Sequence, residues 1–463
     1  MARIGVALSG GGHRATVFAF GVLMYLIDAG KQREIAVISS VSGGSIANGI
    51  LAQNLDVAGA GPKTFREAIR PAVRNIAHEG LFFWSRQTNM YVVTLFAALA
   101  VGVFLPLAWV IGAVVAGWSD LPGWLDVAAL IGVVALVVGL WLFSRRSVVV
   151  ERALDRLYFH GSALSNSHRA VQHVFCATEL QSGEHAYLAP TFVYSYRFGT
   201  GAPNGLPLAR AVQCSACLPF AFAPRRLPAE PLFGRKTTFT ELVLSDGGVY
   251  DNMADQWLTG AGQRHQRPTA ISLPDASVDD VIIVNAGGVK KTPVLRLLDF
   301  PGIGEVRTLR RVNELLYAGT TSYRRRELVR QRAAAILQST QTPYTVAERI
   351  AEDGDARGRA ALAHLARHDP YDKETWTRRA AADASVRTSL GALGPDVTAD
   401  LLEHAYYVAM YGLHVLLGYP LLKVPARAEF DQLTSRDPGP GNGLKLRLGS
   451  EAQLRDSSVV GDE

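Results

Sequence analysis

The chain has 463 residues, of which 48% are hydrophobic, and its formal net charge is +6. A chain of this length can bury a large core. The sequence has no recognisable nucleic-acid-binding module or long basic tract, so no nucleic-acid partner is expected. The three cysteines, Cys176, Cys214 and Cys217, are too few for a disulfide framework and favour a reducing compartment. Cys214 and Cys217 form a C-x-x-C pair without a second pair nearby, so we interpret them as packing residues and expect no metal site.

The N-terminal part of the chain alternates between strand and helix patterns. The apolar run at 3–9 predicts a strand, and 13–29 predicts an apolar helix that Gly30 ends. The run IAVISS at 35–40 predicts a second buried strand, which a helix from Ser45 to Leu51 follows. This order indicates an α/β layered fold with a mostly parallel sheet.

Two long stretches without charged residues interrupt this pattern. Tyr91 to Trp118 and Val127 to Phe143 would form helices of about 42 and 26 Å, and the hydrocarbon core of a bilayer is about 30 Å thick. A short link, SDLPGW at 119–124, joins them. The sequence therefore predicts a transmembrane helical hairpin. The alternatives are a hairpin inserted in one leaflet and a hairpin buried in a soluble core.

The α/β pattern resumes after the second stretch. Further strands are predicted at 173–180, 191–198, 240–248 and 279–288. Helices are predicted at 305–337, 346–368 and 398–417. From about Asp437 the sequence is polar and rich in Gly, Pro and Ser, which is typical of a flexible tail.

Two glycine-rich turns follow the first two predicted strands. In SGGGHRA, residues Gly10, Gly12 and Ala15 fit the dinucleotide-binding spacing G-x-G-x-x-G/A. Such a site needs an acidic residue near the end of the second strand, and this chain has the serine turn SSVSGGS there instead. That turn is close to the nucleophile elbow G-x-S-x-G, with Ser42 as the nucleophile and Ser40 in place of the first glycine. The alternative is a helix N-cap role for Ser42.

A third motif, SDGGVYDNM at 245–253, places Asp246 at the end of an apolar strand. We expect Asp246 at the same sheet edge as Ser42, because ligands bind beyond the carboxyl ends of parallel strands. The motif on its own is also a common turn.

Taken in this order along the chain, the three motifs resemble the patatin-like phospholipase family. SGGGHRA resembles the family's oxyanion block, with Gly10, Gly11 and Gly12 in the matching places. SVSGG resembles its nucleophile elbow and SDGGVYDN its D-G-[GA] block. Two further blocks, CATELQSGE at 176–184 and AVQCSACLPFAFAP at 211–224, also resemble family segments. The resemblance covers about 3–89 and 150–290 and weakens towards residue 420.

The resemblance implies a three-layer α/β/α fold with a mostly parallel central sheet, interrupted by the two-helix hairpin. It implies a lipid acyl hydrolase in which Ser42 and Asp246 form a catalytic dyad and the glycine block stabilises the oxyanion, without a cofactor. The predicted parts are a first catalytic segment, the hairpin, a second catalytic segment and a tail, with boundaries at 1–89, 90–143, 144–425 and 426–463.

Partner and location follow from the hairpin and the charge pattern. The expected partners are the lipid bilayer and membrane phospholipids or lysophospholipids. Arginines flank both outer ends of the hairpin and none lies in its turn, so we expect a bacterial inner-membrane protein with its catalytic domain on the cytoplasmic side. Arg14, at a helix N-terminus, is expected to contact either a substrate phosphate or a nearby carboxylate. The arginine-rich helix around 324–332 is expected to lie on anionic head groups or to be a solvated face.

Other functions stay open at this point. One alternative is a nucleotide-sensing or scaffold membrane protein that uses the fold without hydrolysis. Another is an acyltransferase or a lipase for neutral glycerides, since the same dyad serves both reactions.

Overall fold

The computed structural model describes residues 2–81, 86–116, 122–219, 221–234, 240–260, 273–274, 276–288, 303–331 and 334–436. Within these ranges ten strands form one sheet: β1 Ile4–Leu8, β2 Ile35–Ser40, β3 Gln172–Glu179, β4 Glu184–Leu188, β5 Val193–Ser195, β6 Gly199–Gly201, β7 Arg225–Pro228, β8 Glu241–Asp246, β9 Asp280–Asn285 and β10 Ala335–Gln338.

The helices before the last quarter of the chain are α1 Gly12–Asp28, α2 Gly43–Asn54, α3 Pro62–His78, α4 Arg86–Ala116, α5 Gly123–Ser144, α6 Arg146–Leu154, α7 Leu208–Ser215, α8 Ala229–Phe233, α9 Gly248–Asp251 and α10 Gln256–Thr259. Those that follow are α11 Ile303–Gln331, α12 Pro343–Glu352, α13 Ala356–His368, α14 Lys373–Ser385, α15 Pro395–Leu417 and α16 Arg427–Thr434.

The sheet has a parallel half and an antiparallel half that meet at β3. Strands β10, β9, β1, β2 and β3 are neighbours in that order and run parallel. Strands β4, β5 and β6 extend the sheet as antiparallel neighbours. Strand β8 pairs antiparallel with the second half of β3, on the side where β2 pairs with the first half. The carboxyl ends of β2 and β8 therefore point towards each other along β3.

Helices cover both faces of the sheet. The larger core packs α1, α2 and α15 against one face, and α1 is buried on all sides from Gly12 to Ile27. A Cβ at Gly21 would lie 2.5 Å from the carbonyl oxygen of Leu402, so α1 and α15 approach at main-chain distance. A second core on the other face includes Trp257 of α10 and Leu328 of α11. The predicted three-layer α/β/α architecture is thus confirmed.

The helices α4 and α5 form the hairpin. Segments Asn89–Val115 and Gly123–Ser144 are long and apolar enough to cross a membrane, with mean hydropathies of 2.4 and 2.6, and each is only 11% buried. The helices pack closely on each other, because a Cβ at Gly102 would lie 2.6 Å from the main chain of Leu136. The indole N–H of Trp109 donates a 2.8 Å hydrogen bond to Asp126 Oδ1 across the hairpin. A helix in a soluble core would be mostly buried, and these two are not.

Several predicted boundaries differ from the structure. The predicted helix at 305–337 ends at Gln331, and its last residues belong to strand β10. The predicted helix at 346–368 is two helices, because Gly354 adopts φ +84° between α12 and α13. Of the predicted strand at 191–198, only Val193–Ser195 forms a strand.

The predicted tail boundary at 426 is too early. Helix α16 follows directly and buries Phe430 and Leu433 against the larger core. The tail prediction from Asp437 onward lies outside the described residues.

Candidate active site

Ser42 lies in a tight turn between β2 and α2. Its backbone has φ +54° and ψ −121°, an unusual conformation for a residue with a side chain. The residues that follow must be glycine, because a Cβ at Gly43 would lie 2.1 Å from the carbonyl oxygen of Gly12 and one at Gly44 would lie 2.4 Å from that of Leu8. The turn is fixed further by a 3.0 Å hydrogen bond from the Ser42 N–H to the Ser215 carbonyl. This is the strand–turn–helix geometry of a nucleophile elbow.

Ser40 occupies the place of the first elbow glycine, and its side chain is accommodated below the turn. The buried Ser40 hydroxyl donates to the Val174 carbonyl at 3.2 Å. It accepts hydrogen bonds from Ser45 Oγ at 3.0 Å and Asn48 Nδ2 at 2.9 Å. This departure from the motif is therefore built into a buried polar network and leaves the turn intact.

Asp246 ends β8 opposite Ala177, and Ser40 ends β2 opposite Phe175 on the same side of β3. Two residues along a strand span about 7 Å, so the chain ends that carry Ser42 and Asp246 are adjacent. The prediction that the two residues share a sheet edge assumed that β8 is parallel. That assumption is wrong, because Asp246 reaches the edge from an antiparallel strand.

The Asp246 carboxyl group is buried and only partly hydrogen-bonded. Its Oδ1 accepts a 2.8 Å hydrogen bond from the Gly248 N–H, whereas Oδ2 has no partner of normal hydrogen-bond geometry in the part of the chain that the structure describes. Burial raises the pKa of Asp246 to about 7, and the Gly248 N–H and the Ser42 hydroxyl both oppose this rise. A carboxylate with one free oxygen and a pKa near neutrality is suited to accept a proton.

The glycine block lies next to Ser42. A Cβ built on Gly10 would be 3.3 Å from the Ser42 Cβ. The Gly10 N–H is not free for a ligand, because it donates a 3.0 Å hydrogen bond to the Asn252 carbonyl. Gly11 and Gly12 adopt φ +144° and +61°, and their N–H groups donate no hydrogen bond to any described residue. They lie at the N-terminus of the 17-residue helix α1, where the helix dipole favours negative charge.

His13 and Arg14, also in this block, are buried. His13 Nδ1 lies 2.9 Å from the Gly391 carbonyl oxygen, and burial lowers the pKa of His13 to about 4, so the ring is neutral near pH 7. Arg14 donates through Nε to the Ala286 carbonyl at 2.9 Å and through Nη1 to that of Val386 at 2.5 Å. Burial lowers the pKa of Arg14 to about 10. This guanidinium is therefore bound to main-chain carbonyls within the protein.

Three main-chain groups near Ser42 and Asp246 make contacts that the sequence did not predict. The Ser215 carbonyl accepts from the N–H groups of both Ser42 and Gly247, at 3.0 and 3.2 Å. The Cys217 carbonyl accepts from the Asp246 N–H at 3.0 Å, and the Asn252 carbonyl joins the Gly10 block to the Asp246 segment. All three residues lie in sequence blocks that resemble the family. Their contacts could not be predicted, because every residue has a main-chain carbonyl and the residue type does not show which one accepts a hydrogen bond.

The three cysteines lie in the interior of the protein. Cys176, Cys214 and Cys217 are free and buried. In the described ranges no group of three or more His, Cys, Asp or Glu residues could hold a metal ion.

This sheet, covered by helices on both faces, and its sharp serine turn define an α/β/α protein with nucleophile-elbow geometry. The chain belongs to the patatin-like phospholipase family, whose model matches residues 6–254.

Solved structures give weaker likenesses. Human GIVD cytosolic phospholipase A2 is 13% identical, with a TM-score of 0.36, over 61% of this chain and 42% of its own. The same protein with methyl gamma-linolenyl fluorophosphonate and terbium chloride gives 14% identity and a TM-score of 0.33, over 61% and 40%. VipD from Legionella pneumophila is 14% identical, with a TM-score of 0.25, over 95% and 92%. The chain thus spans less than half of the phospholipase A2 that it matches. No curated protein sequence matches the chain.

Proposed function

We propose that the chain is a membrane-bound phospholipase A or lysophospholipase that works through a Ser42–Asp246 dyad. The observation that carries this proposal is the meeting of β2 and β8 along β3, which brings a serine in a strained turn beside a buried carboxyl group with a free oxygen. The pKa of Asp246, about 7, supports its role as a base near neutral pH.

In the first half of the reaction, Asp246 Oδ2 accepts the Ser42 hydroxyl proton as Oγ attacks the ester carbonyl carbon. The carbonyl oxygen becomes an oxyanion, which the free N–H groups of Gly11 and Gly12 stabilise. Each such donor is worth about 3 kcal/mol in transition-state stabilisation. The C–O bond to the glycerol oxygen then breaks, and that oxygen takes the proton from Asp246, which leaves an acyl ester on Ser42.

In the second half, water attacks the acyl ester and gives its proton to Asp246. The tetrahedral intermediate collapses, the Ser42 oxygen leaves and regains the proton, and the fatty acid is released. Gly10 is expected to shape the site rather than to donate, because its N–H is occupied by Asn252.

The membrane part of the proposal rests on the hairpin. Large apolar side chains along α4 and α5 are exposed; for example, Phe104 is 67% and Leu130 65% exposed. Such a surface is stable in lipid and not in water. The base of the hairpin contacts the segment after Cys217, because Arg146 Nε donates to the Ala221 carbonyl at 2.8 Å. We therefore propose that the active site lies close to the bilayer, on its cytoplasmic side.

The experiment uses Ser42→Ala and Asp246→Asn. Ser144→Ala is the control, because Ser144 is exposed and its hydroxyl bonds to the Trp141 carbonyl of its own helix. We expect both dyad variants to lose nearly all hydrolysis of a phospholipid and of a soluble ester, and the double variant to lose no more than either single one. A fluorophosphonate should label Ser42 in the wild type. Full activity of Ser42→Ala, or a label mapped to another serine, would refute the dyad.

The two alternatives differ in what they predict. An acyltransferase uses the same acyl ester with an alcohol in place of water, so product analysis with wild type and Ser42→Ala separates it from a hydrolase. A nucleotide sensor is less well supported than a hydrolase. The N–H of Gly10, the first glycine of the turn, is bonded to the Asn252 carbonyl and is not free to bind a phosphate.

A further inference from the structure

Helix α11 is longer than the sheet that it crosses. It joins β9 to β10, which run parallel, and it ends at Gln331, shortly before β10 begins at Ala335. Its C-terminal end therefore lies at the amino edge of the sheet. Its 29 residues span about 44 Å, whereas the six residues of β9 span about 20 Å. A crossover helix runs back along the strands. The N-terminal half of α11 therefore extends beyond the carboxyl edge of the sheet, which is the edge where Ser42 follows β2.

Side-chain burial agrees with this arrangement. Leu328, near the C-terminal end, is buried in the second core. Arg324 binds Asp255 through Nη2 and Oδ2 at 2.6 Å and lies 3.7 Å from Asp251 Oδ1. Before Arg324, no side chain that the structure describes in this helix is buried. The C-terminal third thus attaches the helix to the segment that follows Asp246.

One face of α11 is an apolar and basic stripe. Its members recur at helical spacing and are all exposed: Thr308, Val312, Leu315, Gly319, Tyr323, Arg326 and Arg330. Outside the hairpin, most of the exposed large apolar side chains that the structure describes lie on this helix. The helix contains seven Arg and three Glu, so its formal net charge is +4, in a chain whose formal net charge is +6.

We infer that this stripe is a second membrane-contact surface that binds an anionic lipid surface beside the hairpin. The inference rests on the proposed function and extends it. A lipid surface suits the stripe because apolar side chains can enter the head-group region while arginines pair with phosphates. The hairpin base and the projecting half of α11 both lie towards the edge of the sheet that carries Ser42. A bilayer into which the hairpin inserts is therefore close to the projecting half of α11.

The contact also reaches the catalytic segment. Asp251 and Asp255 belong to the stretch that begins at Asp246 and whose Asn252 carbonyl binds Gly10. Arg324 joins this stretch to α11. A lipid surface that binds the helix therefore also restrains the segment that links Asp246 to the Gly10 turn.

The test places an environment-sensitive thiol fluorophore on the full-length chain at Leu315→Cys. Leu180→Cys is the matched control, since both leucines are 46% exposed and the native cysteines are buried. On vesicles that contain phosphatidylglycerol, we expect the emission at 315 to shift to the blue relative to detergent and the emission at 180 to stay unchanged. Zwitterionic vesicles and high salt should reduce the shift.

Equal emission at the two positions on anionic vesicles would overturn the inference. A shift at 315 that depends on the protein-to-lipid ratio would also overturn it, because a second copy would then cover the stripe. Co-sedimentation with the vesicles reports hairpin insertion separately from this contact.

A second measurement uses Val312→Asp/Leu315→Asp, with Leu180→Asp as the control. We expect kcat/KM on anionic vesicles to fall about tenfold and kcat/KM on a soluble short-chain ester to stay at the wild-type value. Unchanged kcat/KM on vesicles would refute the inference, whereas a wild type without esterase activity would refute the proposed chemistry instead.

Discussion

The main-chain N–H of Asp246 is hydrogen-bonded to the carbonyl of Cys217, at 3.0 Å. The loop that begins at Cys217 continues to Ala223, whose carbonyl accepts a 2.6 Å hydrogen bond from the Ser147 hydroxyl. Ser147 is buried in α6, the helix that directly follows the hairpin. The Ala223 carbonyl also accepts a 2.8 Å hydrogen bond from Cys217 Sγ, so a set of hydrogen bonds joins the end of the hairpin to the backbone of the proposed base.

Ser147→Ala should lower kcat about fivefold and leave KM unchanged. The variant removes one buried hydrogen bond, worth about 1 kcal/mol, and loosens the loop that positions Asp246. Ser144→Ala is the control, because the Ser144 hydroxyl bonds to Trp141 within its own helix. Steady-state kinetics with a soluble ester checks this, and a fall in kcat of the same size in Ser144→Ala would contradict it.

The rate should rise with pH through about 7. Asp246 accepts a proton only as a carboxylate, and burial raises its pKa from 3.8 to about 7, so the protonated, inactive form predominates below pH 7. We expect log kcat/KM to increase with a slope near one up to pH 7 and then to level. A profile that is flat between pH 5 and 8 with a soluble ester would show that Asp246 is not the base.

Gly12→Ala should lower the free energy of unfolding by more than the strain of a positive φ alone would. Gly12 has φ +61°, and its Cβ would lie 2.4 Å from the Ser389 carbonyl oxygen. Gly30→Ala is the control, since Gly30 has φ +72° with nothing within 4 Å and should cost only about 1 kcal/mol. Thermal unfolding of both variants compares them. Gly11, whose nearest neighbours are 3.2 Å away or more, is the better position for testing turnover.

The hairpin tip should face the outside of the cell. Gly123→Cys, at the start of α5, is exposed and has no atom within 4 Å of its Cβ. It should react with an impermeant thiol reagent added to intact cells, whereas Lys63→Cys on the exposed surface of α3 should react only after lysis. Labelling of Lys63→Cys alone would reverse the topology, and labelling of neither in intact cells would favour insertion in one leaflet. The sequence-based choice for the tip, Ser119, lies outside the described residues.

The sequence alone predicted the parallel strands and the sharp turn at Ser42 because both leave local signals. Strands β1, β2 and β9 are continuous apolar runs, and the turn at Ser42 needs small residues in a fixed order. The direction of β8 left no such signal, since an apolar strand reads the same in both directions. The ends of the long helices were missed for a related reason: Ala335–Gln338 is a short apolar run, and its strand conformation depends on pairing with β9.

The pairing of β2 with β3 encloses the hairpin in sequence, so the sheet can form only late in synthesis. Ile38 pairs with His173, so the whole hairpin lies between two neighbouring strands of one sheet. During synthesis Ser42 leaves the ribosome first, the hairpin next, and Asp246 last. The sheet can close only after the hairpin has emerged, and β8 must then still be added to β3. A nascent chain therefore carries Ser42 without Asp246 until both hairpin helices have been made, so the two residues of the proposed dyad come together only after the hairpin has emerged.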